Sequence, residues 1–453
     1  MPLVYALFCF CDLGNMSDAT PSTFISPSFK ALLPLFLFLA LFIGTGVYMT
    51  LQEVEMAFYQ LPAPVAALPA VVLGIVLSKD KLNTAIEQFL RGVGHTDIIA
   101  MCVIYLLAGA FAAVASATGG VEATVNLGLT MIPTALILPG IFIISAFIAT
   151  SMGTSMGTIA AVAPVALGIA NAADMDVALT AGVVLSGAMF GDNLSIISDT
   201  TIAATRSQGC QMRDKFKENI RIALPAALFA LVLFGINSKA SQVPSVEAVD
   251  WIKVIPYLTI LVLAVSGVNV FVVLSLGIVL AGAIGFVSAT DYTVSGFAND
   301  IYTGFGNMQE IFLLSMLIGG ISALMKQQGG LAYITDRVSR MIRGHKNSQR
   351  GAEMGIASVV SLTNLCTANN TVSIIVAGGV AKELAQENQV SAKRSASLLD
   401  IYSCVIQGVL PYGAQILLLG SIFGLSPLAV VANSYYCFFL AIAAALTIII
   451  GKR

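Results

Sequence analysis

Apolar runs approaching twenty residues recur from Ala31 to the C-terminus, separated by short polar stretches. A helix rising about 1.5 Å per residue needs roughly 20 of them to cross about 30 Å of hydrocarbon, so the pattern predicts membrane-spanning helices. Uninterrupted spans are expected at 31–49, 63–78, 97–118, 219–236, 252–268, 270–287, 311–326 and 427–449. Four further stretches, 131–172, 177–205, 351–381 and 395–422, are apolar at both ends but broken in the middle by Gly, Pro, Ser, Thr, Asn or Asp. Helices satisfy their own backbone polar groups in lipid, whereas a barrel would show short alternating strands. The expected class is therefore an all-α integral membrane protein.

Composition agrees. The 453 residues are 57% hydrophobic and 10% charged, against about 25% charged in an ordinary soluble domain. The lipid bilayer is thus the main partner. The formal net charge of -2 and the lack of a basic stripe interleaved with aromatics exclude nucleic acid as a ligand. The seven cysteines, Cys9, Cys11, Cys102, Cys210, Cys366, Cys404 and Cys437, show no paired metal-ligand spacing and are read as free thiols. No cofactor and no metal beyond a transported ion is expected. Residues 1–29 form an N-terminal tail whose apolar stretch Val4 to Phe10 lacks the basic flank and cleavage site of a signal peptide, and translation could begin at Met1 or Met16.

The two halves resemble each other. Leu73-Gly74-Ile75-Val76-Leu77 returns as Leu276-Gly277-Ile278-Val279-Leu280, and Leu107-Ala108-Gly109-Ala110, leading to Gly119-Gly120, is matched by Leu317-Ile318-Gly319-Gly320, leading to Gly329-Gly330. A hairpin-like break follows in each half, at 151–158 and 363–371, and then a second break, at 191–201 and 408–415. This predicts a duplication: repeats at 30–236 and 252–449, a linker at 237–251 and a tail at 450–453.

Short cytoplasmic loops carry excess Lys and Arg. The stretches 79–96 (Lys79, Lys81, Arg91), 206–221 (Arg206, Arg213, Lys215, Lys217, Arg221), 326–350, 382–394 and Lys452-Arg453 are basic, while 119–130, 173–176 and 288–310 hold only acidic charges. These sides agree if each half has five transmembrane helices plus one re-entrant hairpin and a broken helix. Five crossings are odd, so the second repeat is inverted and both termini are cytoplasmic. Two full crossings per hairpin would preserve the same charge pattern. Inverted repeats with broken helices place a secondary transporter's site at the midplane between them.

The breaks carry the chemistry. Thr150 to Thr158 reads Thr-Ser-Met-Gly-Thr-Ser-Met-Gly-Thr, where Thr154, Ser155 and Thr158 offer the oxygen ligands a hard cation prefers. Its counterpart, Ser361 to Thr371, holds Asn364, Thr367, Asn369, Asn370 and Thr371. Unsatisfied amides in lipid are costly, so these residues either bond across the bundle or form a substrate or second-half site at a helix start. Gly191 to Thr201 carries Asp192, Asn193, Ser195 and Asp199. A carboxylate at membrane depth costs about 2.5–3.5 kcal/mol, which makes it a functional candidate. Such a group is neutralised by a proton or by a sodium ion, the chemistry of exchange. Asp199 could instead sit near Arg206 or cap the next helix. In the partner segment, Asp400 is a further buried-carboxylate candidate, and Gln407 precedes a Pro-Gly break. Glu53 and Glu55 fall in an interfacial loop, and His95 and His345 in cytoplasmic ones.

Gly153-Thr154-Ser155 with Gly157-Thr158, and Gly191-Asp192 with Ser195 and Ser198-Asp199-Thr200-Thr201, make the sequence resemble the NhaC family of sodium/proton antiporters. The chain departs from the family pattern at Met156, where tryptophan is expected, and at Asn193, where lysine is frequent. The resemblance implies a carrier, not an enzyme, that exchanges sodium for protons across the plasma membrane by alternating access. Asp192 and Asp199 would bind the two ions in turn, and Thr154, Ser155, Thr158, Asn369 and Asn370 would complete the site. Relatives of the family include amino-acid carriers, so sodium- or proton-coupled uptake of an amino acid or small carboxylate is the alternative. The absence of Arg and Lys from the breaks favours a cation or zwitterion. A homodimer is compatible with the sequence. An intramembrane protease would need a histidine or a paired aspartate motif that is not present, and a channel fits duplicated intramembrane carboxylates less well than a coupled carrier.

Overall fold

The computed structural model describes residues 26–450 apart from 55–56, 58–59, 132, 134–135, 197, 239–247, 289–291 and 344–348. Cys9, Cys11, Glu55, His345, the segment Val4 to Phe10 and Lys452-Arg453 lie outside the described residues. After a short turn at Phe29–Leu32, the first half runs α1 (Leu33–Leu51), α2 (Ala63–Val76), α3 (Leu82–Val93), α4 (Thr96–Ala117), α5 (Gly120–Met131), α6 (Ile137–Met152), α7 (Ser155–Ala172), α8 (Val177–Leu194), α9 (Asp199–Gln208) and α10 (Met212–Asn237). The second runs α11 (Trp251–Val265), α12 (Val270–Ser288), α13 (Val294–Asn307), α14 (Gln309–Gln327), α15 (Gly330–Arg343), α16 (Gln349–Thr367), α17 (Asn370–Glu387), α18 (Ala392–Gln407), α19 (Ala414–Phe423), α20 (Pro427–Ala432) and α21 (Tyr435–Ile450). Among the described residues no strand occurs. Among the described residues, seven helices are long and apolar enough to cross a membrane, and five shorter apolar ones accompany them. This is a multi-pass membrane protein. The five described cysteines are free.

The expected spans and breaks appear, with corrections between them. The stretches 79–96, 119–130, 288–310 and 326–350, expected as loops, contain α3, α5, α13 and α15. Their mixed polar and apolar residues form one-sided helices. Leu82, Ile86 and Leu90 lie exposed on α3 while Ala85 and Gly92 are buried. The 427–449 span is two helices, parted at Asn433-Ser434. Lys215, counted above among cytoplasmic loop charges, lies inside α10 with no exposure at all. Arg206, Arg213, Lys217 and Arg221 remain exposed, so the loop stays basic.

The backbone repeats more closely than the sequence does. Ten described residues have positive φ, and they fall into five pairs: Glu53 with Gly267, Gly119 with Gly329, Gly153 with Ala368, Asp174 with Gln389, and Gly209 with Gly424. Each pair lies at the same joint of its half, so α1 to α9 correspond to α11 to α19, and α10 to α20 and α21 together. Packing follows the same exchange. Helix α4 packs on α12 and α13, and α14 on α2 and α3; α9 packs on α17, and α19 on α7; α10 packs on α18, and α21 on α8. Two crossings are at backbone contact. A Cβ on Gly109 would lie 2.2 Å from the Gly304 carbonyl oxygen, and one on Gly92 would lie 2.6 Å from that of Gly319. Gly319 is the counterpart of Gly109, so small residues allow the same close approach twice.

Candidate cation site

Four helix starts meet between the halves. Helix α6 ends at Gly153, whose left-handed φ of 70° turns the chain into extended Thr154, which caps α7 by accepting from Gly157 N. The second half makes the same turn with Ala368 and Asn369, whose side chain accepts from Val372 N at the start of α17. Helices α8 and α18 end at the neighbouring breaks, and α9 and α19 begin after them, with Ser198 and Gly413 as their N-caps. The pairs Thr154 and Asn369, Asp192 and Gln407, Ser198 and Gly413, and Thr200 and Gln415 are each 215 positions apart.

These pairs line one cavity. Its wall includes Thr154, Ser155, Asp192, Asp199 and Thr200 from the first half and Asn369, Asn370, Thr371, Gln407 and Gln415 from the second, with Asp97, Met101 and Ile104 of α4. The free volume is about 120 Å³, and no Lys or Arg lines it. Asp192 is 4% exposed. Its Oδ2 accepts from Ser155 Oγ at 2.9 Å and from Ser155 N, at the positive end of α7, at 3.4 Å. Gln415 Nε2 donates to Ser155 Oγ at 3.0 Å, and Gln407 Nε2 donates to Gln415 Oε1 at 2.9 Å. A chain of donors thus runs from Gln407 to the carboxylate at its pseudo-symmetric position. Asp199, in the first turn of α9, is exposed to the cavity.

Two wider openings flank this cavity. One, of about 340 Å³, lies among α3, α14 and α17, is lined by Arg91, His95 and Lys326, and shares Asn369 with the central cavity. The other, of about 710 Å³, lies among their counterparts α13, α4 and α7, is lined by Asp300 and Asn307, and shares no lining residue with the centre.

Residues 21–239 match the model of the Na+/H+ antiporter family. Over 389 residues, 79% of this chain and 84% of the relative, the sequence is 25% identical to the Na+/H+ antiporter NhaC of Bacillus subtilis. The chain is similar to members of the Na+/H+ antiporter family. It is also 21% identical over 403 residues, 81% of each chain, to the arginine/ornithine antiporter ArcD of Halobacterium salinarum. A malate-2H+/Na+-lactate antiporter of Bacillus subtilis is 25% identical over 321 residues, 66% of this chain and 65% of that one.

The family motifs thus frame the cavity, but not every residue in them faces it. Thr158 is fully buried and donates to Thr154 O within its own helix. Asn193 points away, its Nδ2 donating to Tyr436 Oη at 2.9 Å. Ser195 is buried at the end of α8, and its carbonyl accepts from Thr201 Oγ1. Asn364 donates to Ser403 O, and Thr367 donates to Asn369 O while lining the α3 opening. Asp400 is absent from the cavity wall: its Oδ2 lies 2.8 Å from Lys215 Nζ with both side chains at 0% exposure. The sequence reading overlooked Asp97, Gln415, Lys215 and Asn219. Gln415 carried a signal, a glutamine beside a Pro-Gly break, whereas Asp97 and Lys215 read as end-of-helix charges.

Proposed function

We propose that this protein is a secondary active transporter that exchanges sodium for protons, with the Asp192 cavity as its shared binding site. The observation that carries this is a small cavity lined by Asp97, Asp192 and Asp199, with oxygen-bearing side chains around them and no cationic side chain. Sodium prefers such hard oxygen ligands, and a carboxylate it leaves behind takes up a proton in its place. Asp192 is the exchanging group, with Ser155 and Thr154 beside it. Asn369, Asn370 and Gln407 supply the second wall, and Asp199 is the acid through which ions enter. Asn193, Ser195, Thr158, Asn364 and Asp400 act on the frame and not on the ion.

The architecture we infer is two inverted repeats, at 30–236 and 252–449, in the plasma membrane with both termini cytoplasmic. Corresponding helices support the inversion: α3 falls in a basic stretch and its counterpart α13 in an acidic one, as do α15 and α5. The hairpin reading is supported by α6, which at about 24 Å is short of the bilayer core, and by its tip, which meets Asp192 at the α8–α9 break. The basic α3 opening then faces the cytoplasm and reaches Asn369, while the acidic opening outside is separated from the site. Rocking one bundle against the other would exchange these roles.

A second reading, coupled transport of an amino acid or small carboxylate, has one observation in its favour: α17 begins at the cavity with no acidic residue in its first turn. Its Thr371 and Val372 amides are already taken by the side chains of Asn370 and Asn369. A cavity of about 120 Å³ is also small beside the roughly 300 Å³ at which organic-ligand pockets begin. The test is reconstitution: impose a sodium gradient on proteoliposomes and follow internal pH with a trapped dye, with and without amino acids or malate. Sodium alone should drive the pH change, and Asp192→Asn should abolish it. A response that needs the organic solute would refute exchange.

A further inference from the structure

Lys215 is a fully buried charge that the exchange chemistry leaves unused. It sits in the first turn of α10, where the helix dipole disfavours a cation. Its three N–H groups are all committed: to Asp400 Oδ2 at 2.8 Å, to Asn193 O at 3.1 Å and to Thr201 Oγ1 at 2.6 Å. Asn219, one turn on, donates from Nδ2 to the same Asn193 carbonyl at 2.9 Å and to Asp400 Oδ2 at 2.7 Å. The cluster remains short of donors, since Asp400 Oδ1, Asn193 Oδ1 and Asn219 Oδ1 are buried without a partner.

The location gives this cluster a purpose. Helix α8 stops at Leu194, so the Asn193 carbonyl is one of those left without an intrahelical partner. The ammonium and the Asn219 amide supply what a local cap would otherwise provide, and the ammonium also grips Thr201 on the far side of the break. Asp192 is the residue next to that carbonyl. A buried ion pair is poor evidence of added stability, because apolar replacements are often as stable; what it provides is a fixed geometry.

We propose that Lys215 is a positioning residue for the cation site: a tethered cation, anchored by Asp400, that caps α8 and holds the α8–α9 break so that Asp192 meets Ser155. This deepens the exchange reading and rests on it for its transport consequence. It also assigns Asp400 to anchoring, outside the ion exchange.

The test uses the full-length protein. Lys215→Met with Asp400→Asn removes both charges together and avoids stranding either. Amide hydrogen exchange across 192–205, the melting temperature, and the sodium dependence of the pH change are measured beside wild type. The double variant should fold, with exchange at the break faster by at least about tenfold, the equivalent of losing one charge-assisted hydrogen bond. Its half-saturating sodium should rise about tenfold while the maximal rate stays within about twofold, the split expected when binding geometry alone is loosened. Asn219→Ala, which loosens the same shell and keeps both charges, should move both readouts the same way by about threefold, and it decides the matter if the double variant does not fold. Wild-type exchange at the break, or a lost maximal rate at unchanged half-saturation, would overturn the proposal. If wild type itself gives no sodium-driven pH change, the exchange reading fails, and hydrogen exchange alone decides the role of Lys215.

Discussion

Gly191 stands one residue before Asp192, on the face of α8 pressed against α6. A Cβ there would lie 2.3 Å from the Ala146 carbonyl oxygen, 2.5 Å from Ala149 Cβ and 2.8 Å from Thr150 N. Two of these three atoms are backbone and cannot rotate away. Ordinary contact begins near 3.4 Å, so Gly191→Ala must push the end of α8 off α6 by roughly 1 Å. Overpacking of this kind costs about 1–3 kcal/mol of stability. The Ser155–Asp192 hydrogen bond, now 2.9 Å, sits at the displaced turn, and losing a bond to a charged group costs about 1.5–3 kcal/mol. At about 1.4 kcal/mol per decade, half-saturating sodium should rise roughly tenfold to a hundredfold, alongside a melting temperature lowered by a few degrees. The assay is sodium-driven pH change in proteoliposomes, paired with thermal unfolding in detergent. Gly379→Ala is the control, because nothing lies within 4 Å of its Cβ position. A Gly191→Ala protein with wild-type sodium dependence and stability would refute the claim that α6 sets the position of Asp192.

Other perturbations separate the remaining parts of the argument. Asp199→Asn, at a carboxylate exposed to the cavity and not enclosed by it, should slow exchange by less than about tenfold where Asp192→Asn abolishes it, because screening weakens an exposed charge; equal loss in the two variants would make them joint ligands. Gly304→Val, whose Cβ would lie 2.4 Å from the Gly109 carbonyl oxygen, should destabilise the protein by about 1–3 kcal/mol in thermal unfolding, and an unchanged melting temperature would show that the α4–α13 crossing can open freely.

Hydropathy and glycine placement let the sequence reveal helices, breaks and the order shared by the halves, because lipid forces each segment to satisfy its backbone locally. The family motifs likewise led to Asp192, Thr154 and Ser155, since polar groups at membrane depth are rare enough to be informative. Amphipathic helices were harder: α3, α5, α13 and α15 mix polar and apolar residues, and only packing tells them from loops.

Which side each polar group faces was decided by the fold. Asn193 adjoins Asp192 in sequence but points to Tyr436, and Thr158 closes on its own helix. Asp400 reads in the sequence as a further buried-carboxylate candidate, and the fold sets it 2.8 Å from Lys215, 185 positions earlier in the chain. Sequence alone determined that this is a helical membrane protein with carboxylates at its breaks, for hydropathy and chain breaks are local properties. Tertiary structure alone decided which carboxylate meets the cavity and which meets a lysine, since electrostatic partners are chosen by distance in space, to which order along the chain is no guide.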